Sequence, residues 1–223
     1  MLKAVTVIVI LSTALVAAEG YGGFSMSIMM PKVDSINARL QAHNFPALSK
    51  NQFALGGGGW GGDKIVLGGS GFGGFETVEN DSMQIEASYG GGFFEAGYVI
   101  PIVSFLRARP ILGLGGTGYT MHFRPRLGDV SFDSLLVHPG RTSSIEGGGF
   151  ALMGALGITI PIQFIGIDIK GGYIFSPSKV NWSFEDGSKL LMGPYFKPGG
   201  LFVTVSFVFG GNERMAKKRL MGE

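Results

Sequence analysis

From Phe150 to Ile160 large apolar residues return at every second position. Phe150, Leu152, Leu156, Ile158 and Ile160 share one parity with Gly154, while Ala151, Met153, Ala155, Gly157 and Thr159 take the other. A period of two marks a β-strand, because successive side chains point to opposite faces of a sheet. The same alternation runs through Ile165 to Phe175, Leu201 to Phe209 and Phe24 to Met30. Four further segments, 51–61, 64–77, 82–100 and 105–123, also read as strands, which makes eight. Two of them change phase. Ile85, Ala87 and Tyr89 give way to Phe94, Ala96, Tyr98 and Ile100; Leu106, Ala108, Leu112 and Leu114 give way to Tyr119, Met121 and Phe123. The phase changes predict bulges at Gly90-Gly91-Gly92 and at Gly115-Gly116. "GGGFFEAGYVIPI" (Gly90 to Ile102) and "GGGFALMGALGITIPI" (Gly147 to Ile162) echo one another as a repeated hairpin plan.

The residues between the large ones decide what surrounds the sheet. A soluble barrel puts apolar side chains inside and charged ones outside. In this chain the second face is mostly Gly, Ala, Ser and Thr, so neither face suits water. The simplest arrangement turns the bulky apolar side chains outward into lipid. A strand of about ten residues, rising about 3.3 Å each and tilted about 45°, covers the roughly 25 Å apolar band. Closure into a barrel leaves no backbone polar group bare in hydrocarbon.

Connection lengths fit this plan. Residues 31–50, 124–143 and 176–199 form long links and 78–81 a medium one, while Gly61 to Asp63, Pro101 to Ser104 and Pro161 to Gln163 are short. Long and short links fall at opposite ends, and both ends of the expected barrel fall on the short-turn side. The expected fold is all-β, an antiparallel up-and-down transmembrane β-barrel of eight strands with one short helix in the first long link. Val33, Ile36 and Leu40 supply that helix with an apolar face, and Asp34 or Ser35 with a cap. It is expected to pack over the barrel mouth.

The inward face then holds Glu95, Arg107, Arg109, Asp168 and Lys170. Charges in a lumen of low dielectric should pair, so these five are expected to form a network, with Glu86 and Glu146 as candidate members. The network either fixes register and fills space or gates a narrow water path. Trp60, Tyr98, Phe123, Tyr173 and Phe175 lie near strand ends, where an aromatic girdle belongs. Glycine, 39 of 223 residues, permits bulges and curvature; inward glycines are expected to leave room for water, an infolded loop or a small ligand.

At the N-terminus Lys3, the apolar run Ala4 to Leu15 and Val16-Ala17-Ala18 read as a signal peptide over residues 1–18. The run ending at Ala18 is too short for a spanning helix, which needs about 20 residues. Residues 19–211 are assigned to the barrel and 212–223 to a polar basic tail carrying Arg214, Lys217, Lys218 and Arg219. There is no cysteine, and the charge is nearly balanced, so no basic field argues for nucleic acid.

The chemical motifs are weak. Gly113, Gly115 and Gly118 form a literal G-x-G-x-x-G, but β-prone Tyr119 to Phe123 and then Pro125 follow, so no helix opens there to receive a phosphate. Gly69 to Gly74 fails in the same way. His43, His122 and His138 lack metal-ligand spacing. His122 with Ser131 or Ser134 and Asp129 or Asp133 would be the parts of a Ser–His–acid set, which nothing in the spacing singles out. The expectation is a non-enzymatic chain with no cofactor and no metal.

With this strand count and loop rhythm, most of residues 20–211 resembles the small eight-stranded outer-membrane barrels, the class of the OmpA transmembrane domain, OmpX and OmpW. The resemblance implies export to the outer membrane of a double-membraned bacterium, with outer-membrane lipid and the assembly machinery as partners. It implies a structural or surface-interaction role through the long loops. A narrow pore or carrier for small or apolar solutes, and a secreted soluble lipid-binding barrel, are the alternatives. One departure stands out: such barrels often end in a terminal aromatic, whereas fourteen residues follow Phe209.

Overall fold

The computed structural model describes residues 19–103, 105–126, 133–134, 142–162 and 164–211. The expected signal peptide, the tail at 212–223 and, in the link 124–143, Asp129, Ser131 and His138 lie outside the described residues. In chain order the elements are β1 (Glu19–Pro31), α1 (Asp34–Ala42), β2 (Gln52–Gly62), β3 (Ile65–Glu79), β4 (Met83–Tyr98), β5 (Ile100–Val103), β6 (Leu106–Pro125), β7 (Ser143–Ile162), β8 (Ile165–Phe175), β9 (Ser183–Phe184) and β10 (Gly200–Gly211). Eight of these strands close into a ring in which β1, β2, β3, β4, β6, β7, β8 and β10 each pair antiparallel with the next, and β10 returns to β1. Two short strands are additions to the expected eight. β5 runs beside the start of β6, and β9 pairs with Ile145 and Glu146 of β7. The short turns lie at one end with the start of β1 and the close of β10; the long links lie at the other.

The expected bulges at Gly90-Gly91-Gly92 and Gly115-Gly116 do not form. Register between β4 and β6 is continuous from Met83↔Pro125 to Gly97↔Ile111, and between β6 and β7 from Arg107↔Thr159 to Phe123↔Ser143. Odd-numbered residues of β4 face inward along its whole length: Ile85, Ala87, Tyr89, Phe93 and Glu95 are all buried. What changes at the glycines is the surroundings. On the short-turn side of them lipid takes the outward face, so Phe94 and Tyr98 point out. On the loop side the large side chains of β4 and β6 turn in, while Phe53 of β2 and Phe75 of β3 still point outward.

The exterior is that of a membrane-spanning barrel. Leu112 is 75% exposed and Phe164 66%, and Phe24, Ile28, Leu114, Leu156, Leu201 and Phe209 also point outward. No helix among the described residues is long and apolar enough to cross a membrane. Glycine serves the curvature at specific points. A Cβ on Gly115 would strike the carbonyl oxygen of Gly92, and one on Gly23 that of Phe207. At both places neighbouring backbones lean into the inner face, where only glycine leaves space.

The helix forms as expected, over the mouth, with Val33, Ile36 and Leu40 buried. Its cap differs: Val33 occupies the N-cap and makes no side-chain capping bond. Asp34 instead sits in the first turn, where its charge meets the helix dipole, and pairs with Lys50 at 2.7 Å. The segment after α1 is tied back by Asn37, whose side chain donates to the Leu48 carbonyl (2.9 Å) and accepts from the Leu48 N–H (2.8 Å).

Candidate functional site

The lumen contains three layers, and register sets each. Nearest the short turns is a charged layer. Lys170 on β8 donates to Glu95 Oε1 on β4 at 2.7 Å and to Ser70 Oγ on β3 at 3.2 Å; Ser70 in turn donates to Glu95. Arg109 Nη2 on β6 lies 3.2 and 3.3 Å from the two oxygens of Asp168, and Thr159 donates to Asp168 Oδ1 at 2.5 Å. The Arg109 guanidinium stacks 4.2 Å from the Trp60 ring, which leans on Tyr21 with centroids 4.9 Å apart. Among the described residues, Arg109 Nε and Nη1 have no acceptor, so the π face of Trp60 is their electrostatic partner. Arg107 shares the inward face, two residues nearer the short turn. Glu95, Arg109, Asp168 and Lys170 are all over 90% buried.

Glycine makes room for these long side chains. Glu95 stands opposite Gly68 and Gly113, and Arg109 and Lys170 both stand opposite Gly157. In this layer the space that glycine frees is taken by charged chains rather than by water, loop or ligand; the infolded loop lies further along the lumen. The cavity within this layer is about 40 Å³, room for about one water.

Phe72 and Phe93, ring centroids 6.5 Å apart, fill the middle of the lumen with Met153, Ile111 and Phe202. The loop end holds an aromatic plug. The link 176–199 turns inward, burying Val180, Trp182 and Phe196. Phe196 meets Tyr119 edge-on at 5.1 Å and stacks on Trp182 at 5.9 Å. Several polar groups around the plug are satisfied locally, although Gln52 Oε1 is buried without a partner among the described residues. Gln52 Nε2 donates to Tyr119 Oη at 2.8 Å and also to Glu76, Tyr89 donates to the Phe53 carbonyl, and Trp182 Nε1 donates to the Pro194 carbonyl at 2.9 Å. Thr117 and Ser176 both donate to the Pro198 carbonyl, which pins the returning chain to the wall.

The other sequence-derived candidates fall in different places. Glu86 pairs with Arg124 on the outward face at 3.3 Å, and Glu146 is exposed on the outward parity of β7; neither belongs to the lumen. Of the expected girdle, Tyr98, Tyr173 and Phe175 do face outward, with Lys32 over Tyr173 at 5.6 Å and Lys197 over Phe175 at 5.9 Å. Trp60 and Phe123 do not: register turns both inward, Trp60 onto Arg109 and Phe123 against the plug. Both lie near strand ends in sequence, but parity, which proximity to an end does not reveal, chooses the face. His122 lies on the outward face of β6, opposite Glu86 and Ser144. No group of three or more His, Cys, Asp or Glu side chains that could hold a metal occurs among the described residues. Sequence reading leaves an infolded loop as one of three occupants of the lumen without choosing it or naming the link; the signal for the link is the pair of large aromatics, Trp182 and Phe196.

No family model matches the chain, and no curated protein matches it. Among solved structures it is similar to Ail, the attachment invasion locus protein of Yersinia pestis, at 14% identity over 87% of this chain and 96% of that one, with a TM-score of 0.44. Neisserial surface protein A shares 8% identity over 88% and 97% of the two chains, TM-score 0.41. The outer membrane protease OmpT from Escherichia coli shares 8% over 86% and 95%, TM-score 0.25.

Proposed function

We propose that this chain is an integral outer-membrane barrel with a closed lumen, and that it acts structurally or as a surface-interaction protein through its long-loop end. The observation that carries the reading is the filling of the lumen. Aromatic plug, phenylalanine layer and ion pairs succeed one another along the axis, and the cavities at these levels are about 30, 20 and 40 Å³. Cavities of that size hold isolated waters, which speaks against a solute path. A secreted carrier of lipid is disfavoured by the same layers and by the bulky apolar exterior, which water would not tolerate.

Two measurements test the proposal. Purified protein in planar bilayers should give no discrete openings. An epitope inserted at the Glu185–Gly187 hairpin tip should bind antibody on intact cells. Openings in the native protein would refute the closed lumen, and an epitope reached only after lysis would refute the outward orientation.

A further inference from the structure

On the outer wall β4, β6 and β7 carry a shallow groove of about 500 Å³, with the exposed Phe75 of β3 beside it in the register row of Ser88. Its wall residues are Ser88, Thr120, Glu146, Asn181 and Ser183. Ser88, Thr120 and Glu146 lie in one register row, with parity opposite to the buried Tyr89 and Tyr119, so their side chains face outward. The next row toward the membrane is Gly90, Gly118 and Gly148, which forms a floor without side chains. Two rows further on are Phe94, Leu114 and Leu152, the edge of the lipid-facing surface. Asn181 and Ser183 come from the link beyond β8, and Ser183 Oγ lies 3.5 Å from the Glu146 carbonyl.

We infer that this groove is a saccharide-binding site. Hydroxyl, amide and carboxylate groups together both donate and accept, which suits the vicinal hydroxyls of a sugar. None of the lining side chains is basic, and Glu146 repels anions, so phosphate and sulfate are poor guests. A single carboxylate is too few for a divalent cation, which takes six to eight oxygens or keeps its own waters. Bare glycine lets a flat ring approach the backbone closely, and the groove is large enough for a sugar unit. The sugar could be borne by a lipid of the same leaflet or be free in the medium; the chemistry recognised is the same. The assignment rests on the proposed outward orientation only for its biological access, since binding in detergent does not depend on sidedness.

The test uses the full barrel in dodecylphosphocholine, a detergent without sugar, with maltose as the free probe and dodecyl maltoside as the alkyl-borne one. Saturation-transfer NMR should show saturable transfer to the sugar protons of at least one probe. Transfer to maltose assigns a free glycan; transfer to dodecyl maltoside alone assigns a lipid-borne one. Gly118→Leu fills the floor without harming the fold, because a Cβ there meets nothing nearer than the Gly147 carbonyl at 4.0 Å. It should weaken binding by roughly tenfold. Gly154→Leu, on the outward face of β7 away from the groove and with nothing within 4 Å of its Cβ, should bind as the parent does. Absence of saturable transfer to both probes, or equal transfer in parent and Gly118→Leu protein, overturns the inference; a heat-dependent shift in gel mobility confirms that each variant is folded.

Discussion

Phe196, from the link between β8 and β10, packs edge-on against Tyr119 of β6, with ring centroids 5.1 Å apart. A residue of a nominal surface loop is thus one of the most deeply buried in the protein, 1% exposed. The contact closes the loop end of the barrel and holds the link 176–199 to the wall.

Phe196→Ala should therefore destabilise the protein by about 3–5 kcal/mol, the usual cost of deleting a buried phenyl ring. Urea unfolding in lipid vesicles measures it. A loss below about 1 kcal/mol would mean that the plug is not an integral part of the folded barrel.

The Lys170–Glu95 contact predicts an asymmetry. Lys170→Met leaves the Glu95 carboxylate buried without its cation and should cost about 3–5 kcal/mol. The double variant Lys170→Met with Glu95→Leu should recover most of that, because no lone charge remains. Equal losses in single and double variants would contradict the pairing.

Outward placement of Leu112 predicts depth-dependent intolerance of charge. Leu112→Arg should cost about 2–4 kcal/mol if the residue lies near the bilayer midplane. Thr77→Arg, exposed on the outward face of β3 beyond the band, should be nearly neutral. Similar effects at the two positions would place the apolar band elsewhere.

Glycine positions divide by the space around them. Gly115→Val must push into the Gly92 backbone and should prevent assembly, whereas Gly154→Val meets nothing within 4 Å and should assemble normally. Gel mobility before and after boiling reads the difference.

At the outer hairpin the Ser188 N–H and hydroxyl both donate to Asp186 Oδ1, at 2.8 and 2.6 Å, and hold its carboxyl below the usual aspartate range. The stabilisation of this turn is therefore present above the unfolded value of about 3.9 and is lost as pH falls through the lower folded value. The Ser188 amide resonance should titrate with a midpoint below that of an unfolded aspartate; a midpoint at or above it would contradict the bond.

Strand count, antiparallel order, the ends at which long links gather and the helix at residues 34–42 were legible in the amino-acid sequence, because each depends on local periodicity and turn composition. The inward set of Glu95, Arg109, Asp168 and Lys170 was legible for the same reason, since parity alone separates it from the lipid face. Tertiary structure decided the rest. The apparent phase slips of β4 and β6 proved to be a change of surroundings along straight strands, which alternation cannot distinguish from a bulge. Trp60 faces the lumen because register on β2 turns it there, onto Arg109, and Trp182 and Phe196 became core because the mouth had apolar surface to cover. Periodicity reports which side chains share a face; only closure of the ring decides what that face meets.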